Sequence, residues 1–131
     1  LIVTTPQAAA AEVAERAGSI SQQTRQRVAG VIENMGAMVM PDGSTMDIFG
    51  EGGGQVVAER LSVLLGHDVP LMASIPLDPA LRAAGDEGRP IVLTAPDSPA
   101  TQAINSVADS IAVRSDSLVG KKLGLGVTRK S

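Results

Sequence analysis

Three short stretches set the terms for this chain: LIVT at residues 1–4, VAGVIE at 28–33 and DVPLMASIP at 68–76. Each is dominated by apolar residues without the polar/apolar alternation of a half-covered strand. Such a run suits a strand covered on both faces, as in a parallel sheet flanked by helices. The segments between them carry helical signals. Thr5-Pro6 reads as an N-cap followed by proline at the first helical position, and Val13, Ala17 and Ile20 recur at helical spacing, with Gly18 weakening the middle. Val57, Leu61 and Leu64 mark the inner face of a second helix, which Gly66 can terminate. Asp78-Pro79 repeats the cap-plus-proline signal, with Gly85 as the stop, and RPIVLTAP reads as extended. Ser98-Pro99 opens a last helix that turns Ile104, Val107 and Ile111 inward. Alternation of this kind predicts an α/β fold, a parallel sheet with helices on both faces. Three strands make a poor sheet by themselves, and LIVT already has the character of a strand interior. The expectation is therefore a C-terminal part of a longer protein, whose other strands come from a preceding half or from a partner.

Composition removes several functions. Phe49 is the only aromatic residue, so the core must be aliphatic and bases have no stacking platform. The net charge of −3 offers no basic surface for duplex nucleic acid. No apolar run reaches the roughly 18 residues that cross a bilayer. Neither a nucleic-acid nor a membrane partner is expected, and with nothing resembling a signal peptide a cytoplasmic location is the default. There is no cysteine, so this chain supplies no disulfide and no thiolate ligand for a metal or cluster. Its single histidine, His67, sits beside Asp68 at a helix end and reads as a capping or surface residue. From Arg114 onward five basic residues against one acid predict a solvated, flexible tail, leaving 1–113 as the domain.

The chemistry-bearing motifs are sparse. G-x-x-x-x-G-K-[ST], G-x-S-x-G, H-E-x-x-H and C-x-x-C are all missing, and Gly120-Lys121-Lys122 lacks the hydroxyl and upstream glycine of a phosphate loop. Gly52-Gly53-Gly54 opens a helix. It can present backbone N–H groups to an anion or simply permit a tight turn, and without a following lysine the structural role is favoured. The methionines of residues 35–46 are packing filler or, less well supported, soft metal ligands. Asn34 stands just past the C-terminal end of a predicted strand, where open α/β sheets bind ligands. Its amide can meet a purine edge or form a turn, and the residues alone do not choose. Pro76 and Asp78, in IPLDP, end the next strand and either line the same crevice or serve as a plain helix cap.

Taken in order and spacing, VTTPQ, GVIENM, IFGEGGG, IPLDP, AGDEGRPIVL and DSPA resemble the Mrp/ApbC family of ATP-binding iron–sulfur cluster carriers, relatives of the MinD and ParA P-loop ATPases. The resemblance spans residues 1 to about 113. It implies the C-terminal half of a P-loop NTPase fold, ATP and Mg²⁺ as ligands of the intact protein, a homodimer, and delivery of clusters to apo iron–sulfur proteins. By the same resemblance Asn34 is the adenine-contacting residue and Pro76 and Asp78 pack around the base. The phosphate-binding lysines and switch aspartates belong to the part preceding residue 1, so this chain alone is expected to be inactive as an ATPase and contains no catalytic residue. One departure stands out. Met40 and Gly43 occupy the places of the family's two cluster cysteines, with Pro41 retained, so the family's cluster site is vacated here. Two alternatives accompany this reading: a MinD/ParA-like positioning or partitioning ATPase, and a non-enzymatic interaction module.

Overall fold

The computed structural model describes residues 1–116. The expected flexible tail lies outside them, except that residues 114–116 continue the last helix. A three-stranded parallel sheet forms the frame, with β1 (Ile2–Thr4), β2 (Val31–Gly36) and β5 (Leu71–Pro76) in the order β1-β2-β5. Helices α1 (Ala9–Gln23) and α2 (Gly53–Leu65) provide the crossovers. A small antiparallel hairpin, β3 (Met38–Val39) with β4 (Thr45–Met46), separates β2 from α2. After β5 come α3 (Pro79–Asp86), a single turn α4 (Ile91–Thr94) and α5 (Pro99–Asp116).

Register explains how two layers of helix are served. Val31 pairs with Leu71, and both pack in the cluster that α1 and α2 build from Ala11, Ala14, Val57, Ala58 and Leu61. Ile32 pairs with Ala73, so β5 carries one extra residue, Met72, at this level. The slip reverses the later alternation of β5 and turns Ile75 toward the second cluster, formed with Ala84, Ile91 and Ala100 from α3, α4 and α5. The expected parallel α/β arrangement is thus present, and its core is aliphatic.

Several local expectations are corrected. Thr5-Pro6 does not cap α1, which starts at Ala9 without a side-chain cap. The inward face of α1 is Ala11, Ala14 and Gly18, whereas Val13 and Ile20 are more than half exposed. The reason is clearance: a Cβ at Gly18 would strike Leu61 Cδ2, so small residues are what allow α1 to approach α2. On α2, Val57 and Leu61 face inward as expected, while Leu64 is 41% exposed and Leu65 packs against the cluster instead. Strand β2 is displaced by three residues from the expected 28–33 and spans Val31–Gly36, and β5 begins at Leu71, three residues later than expected. RPIVLTAP is a helical turn, not an extended piece, because Ile91 must reach the second cluster. Gly66 does end α2 with φ 69°, and Asp78 Oδ1 accepts the Ala80 N–H at 2.8 Å as the N-cap of α3.

The second helical layer lies over β5 and does not reach β1. Leu1 and Val3 stand in the open, Val3 being 61% exposed, and Val13 and Ala17 of α1 line a groove along the same edge. Leu61, by contrast, is wholly buried at the α1–α2 crossing. Replacing it with alanine should lower unfolding stability by about 2–5 kcal/mol in chemical denaturation.

Candidate functional site

The C-terminal end of the sheet is shaped by one buried acidic residue. Glu33, in the middle strand, is 6% exposed. Its Oε2 accepts the Gly54 N–H at 2.6 Å and its Oε1 accepts the Ser74 hydroxyl at 2.7 Å. A buried carboxylate is tolerable only when its oxygens are satisfied. Here one bond comes from the N-terminus of α2, where the helix dipole favours negative charge, and the other from the neighbouring strand. This assigns the glycine turn. Gly52 adopts φ 75°, and a Cβ on Gly53 would collide with the Pro6 carbonyl. At Gly54 a Cβ would lie 2.7 Å from Glu33 Cβ. The glycines let the helix start close against β2 and the β1–α1 connection, and the anion they meet is the chain's own Glu33. The structural role favoured from the sequence is the one observed. Spacing alone gave no sign of Glu33, since a carboxylate inside an apolar run looks like an interruption until its partners are placed.

Beyond Glu33 the ladder is irregular. Glu33 pairs with Ser74 and Gly36 with Pro76, so Asn34 and Met35 oppose the single residue Ile75. This is a bulge, uncommon in parallel pairs and found preferentially next to active sites. Met35 takes φ 60°, a left-handed conformation that side chains other than glycine rarely adopt, and Asn34 Oδ1 accepts its N–H at 2.9 Å. The ladder closes again when the Leu77 N–H donates to the Gly36 carbonyl at 3.0 Å. Asn34 is therefore inside the strand, on its bulge, not just past its end. It uses a turn-type hydrogen bond and at the same time lines the groove beside β1. Of the two roles left open by the sequence, the turn-forming one is observed.

Pro76 and Asp78 stand at the same end of the sheet but line a different depression, walled by Met38, Met40 and Pro41 of the hairpin and by Pro99. The structure does not gather Asn34, Pro76 and Asp78 into one pocket. In the hairpin Met38 pairs with Met46, and the Met40 N–H donates to the Ser44 carbonyl at 2.8 Å. Gly43, at φ 84°, forms the turn and donates to the Met40 carbonyl at 2.9 Å. Asp42 accepts both the Ser44 hydroxyl and its N–H, which holds the Asp42 carboxyl below its usual range. Met40 and Gly43 thus bracket a tight turn, and neither supplies a thiolate. His67 is half-buried, with Nδ1 3.0 Å from the Asp68 carbonyl oxygen, in keeping with a capping or surface role.

The ligand chemistry on offer is that of a neutral group. Thr4 lines the same groove as Asn34, and its Oγ1 is the one buried side-chain polar atom lacking a hydrogen-bond partner among the described residues. An amide and a hydroxyl suit a base or a sugar. They do not suit a triphosphate, and no group of three His, Cys, Asp or Glu side chains able to hold a metal exists among the described residues. Neither Mg²⁺ nor an iron–sulfur cluster fits what this segment provides.

A parallel sheet with helical crossovers, and a glycine turn that starts a helix against the central strand, define a portion of an open α/β fold of the kind that binds ligands at the carboxyl ends of its strands. Solved structures agree: MinD from Pyrococcus furiosus superposes with a TM-score of 0.63 over 85% of this chain and 40% of its own, at 22% identity. MinD from Pyrococcus horikoshii, complexed with Mg-ADP, gives 0.62 over 86% and 41%, at 23% identity. The chain belongs to the ParA family, NUBPL iron-transfer P-loop NTPases, whose profile matches residues 1–112. It is 61% identical to the iron–sulfur cluster carrier protein of Mycobacterium tuberculosis and 62% identical to that of Mycobacterium leprae, over 99% of its length in each case. It is 37% identical to the cytosolic Fe-S cluster assembly factor NUBP2 of Bos taurus over 85% of its length. The chain spans about a third of the two mycobacterial relatives, 34% of each.

The glycine turn can be tested by stability alone. Gly53→Ala should cost about 1–3 kcal/mol because backbone meets backbone there. Gly85→Ala, in α3 with open space around its Cβ position, should instead add about 0.5–1 kcal/mol. Paired urea titrations would show the opposite signs.

Proposed function

We propose that this segment is the base-binding, C-terminal part of a P-loop ATPase that serves iron–sulfur cluster assembly. The observation that carries the proposal is the bulge at Asn34. It holds an amide at the carboxyl end of the central strand of the sheet, in a groove shared with an unpartnered hydroxyl. Asn34 is the adenine contact; Pro76 and Asp78 are assigned to the base by the family resemblance alone, since here they line a separate depression beside the hairpin and the Asp78 carboxylate is engaged in capping α3. ATP phosphates and Mg²⁺ are held by the rest of the full-length protein, which acts as a homodimer and hands clusters to apo iron–sulfur proteins. Phosphoryl transfer in such enzymes rests on positioning and on charge stabilisation by lysine and metal. This segment provides neither, so it is inactive by itself. The names of the mycobacterial and bovine relatives support cluster assembly over a positioning or partitioning role, for which the MinD likeness offers the fold alone. A role as a docking module without chemistry has no separate observation in its favour.

In the full-length protein carrying this segment, Asn34→Ala should weaken ATP binding about tenfold, the worth of one or two hydrogen bonds to the base. Unchanged affinity in calorimetry would remove Asn34 from the site. The cluster question has its own test. Without thiolates at residues 40 and 43, any cluster on the full-length dimer must use ligands outside this segment. Anaerobic reconstitution of the double variant Met40→Cys/Gly43→Cys should raise bound iron above the parent. No gain would mean that the hairpin turn, and not only the missing sulfur, has lost the site.

A further inference from the structure

We infer that Glu33 and Ser74 form a positioning pair that sets base selectivity by fixing the Asn34–Met35 bulge. The inference rests on the reading of Asn34 as the base contact and goes beyond it by naming what aims that amide.

Three observations place the pair at the root of the bulge. Glu33 is the last residue of β2 in regular register, and Ser74 is its partner on β5. The Ser74 hydroxyl donates to Glu33 Oε1 at 2.7 Å on one side, while on the other it lies against the backbone of Gly36, where a Cβ would strike its Oγ. One hydroxyl therefore bonds the residue before the bulge and fills the space that a side chain on the residue after it would need. The bulge itself is not an intrinsically preferred conformation. Met35 is left-handed without being glycine, a state that surrounding structure must impose. Its N–H is satisfied by Asn34 Oδ1, so the orientation of the Asn34 amide and the backbone of Met35 are one unit. If the strand relaxed to even pairing, Met35 would leave the left-handed region, its N–H would return to the ladder and the Asn34 amide would rotate away from its present aim. The remaining Glu33 oxygen is anchored by the Gly54 N–H, which stops the carboxylate from following such a relaxation. Glu33 and Ser74 touch no ligand. They act through Asn34.

The test compares ATP with GTP affinity in the full-length protein carrying this segment, alongside circular dichroism and thermal melts. Asn34→Ala establishes the baseline, with a loss of preference for ATP of about tenfold. Ser74→Ala, which removes one hydroxyl, should cut the ATP/GTP preference at least threefold with the secondary structure intact. Glu33→Ala should do the same or more. Glu33→Gln retains an acceptor for the Gly54 N–H and a donor for the Ser74 Oγ, and should restore the preference to within about twofold of the parent. A purely structural role would lower the melting temperature and leave the preference unchanged. If Asn34→Ala discriminates but folded Ser74→Ala and Glu33→Ala keep the parental preference, the positioning role is wrong and the base contact stands. If Asn34→Ala has no effect, the base contact falls and the positioning role with it. Should Glu33→Ala not fold, Ser74→Ala decides alone.

Discussion

A carboxylate sealed into the middle strand of a sheet is expensive, and the arrangement around Glu33 is best understood as the set of conditions that make it tolerable. The side chain is buried, with only 6% of its surface exposed, so its oxygens are met chiefly from within. The Gly54 N–H and the Ser74 hydroxyl meet them at 2.6 and 2.7 Å. The first contact needs a helix that begins directly over β2, which needs residues without side chains at 53 and 54. The second needs β5 in a register that brings Ser74 opposite Glu33, and the extra residue earlier in β5 supplies it. One polar group thus ties together a helix start, a strand register and the bulge that follows.

Around that point the two hydrophobic clusters have different characters. The α1–α2 side is assembled from small and branched aliphatic residues at close approach, with Leu61 filled in against Gly18. The α3–α5 side is smaller and reaches the sheet chiefly through β5. A chain with almost no aromatic residues has to gain burial by proximity instead of by large side chains, and that demand accounts for glycine in the middle of a helix, where propensity alone would disfavour it.

How much of this was legible in the sequence depends on the range of the interaction. The parallel α/β class, the existence and order of its three parallel strands though not their bounds, the Gly66 and Asp78 caps and the glycine turn all follow from local chemistry, and the structure reproduces them. The inner face of α1 was misread because hydrophobicity marked Val13 and Ile20, whereas helix–helix clearance selects Ala14 and Gly18. The turn at 91–94 differs from the extended piece that its sequence suggests because Ile91 packs with Ala84 and Ala100 in the second cluster. The bulge was invisible, since it depends on the registration of two strands forty residues apart. Asn34 stands out in the sequence as a residue just past a strand end, and the fold puts it inside that strand, on the bulge. The separation of Asn34 from Pro76 and Asp78 into two depressions, and the existence of Glu33 as an organiser, required the fold.

The open side of β1 gives the described segment an unusual surface. Its outer edge presents backbone donors and acceptors with no ladder partner among the described strands, and Leu1, Val3 and Val13 add bare hydrocarbon alongside. A surface of that kind is a template: it welcomes any extended apolar segment in reach. The properties of the polypeptide studied in isolation will accordingly vary with its concentration, and a melting curve recorded at one dilution will report association as well as folding.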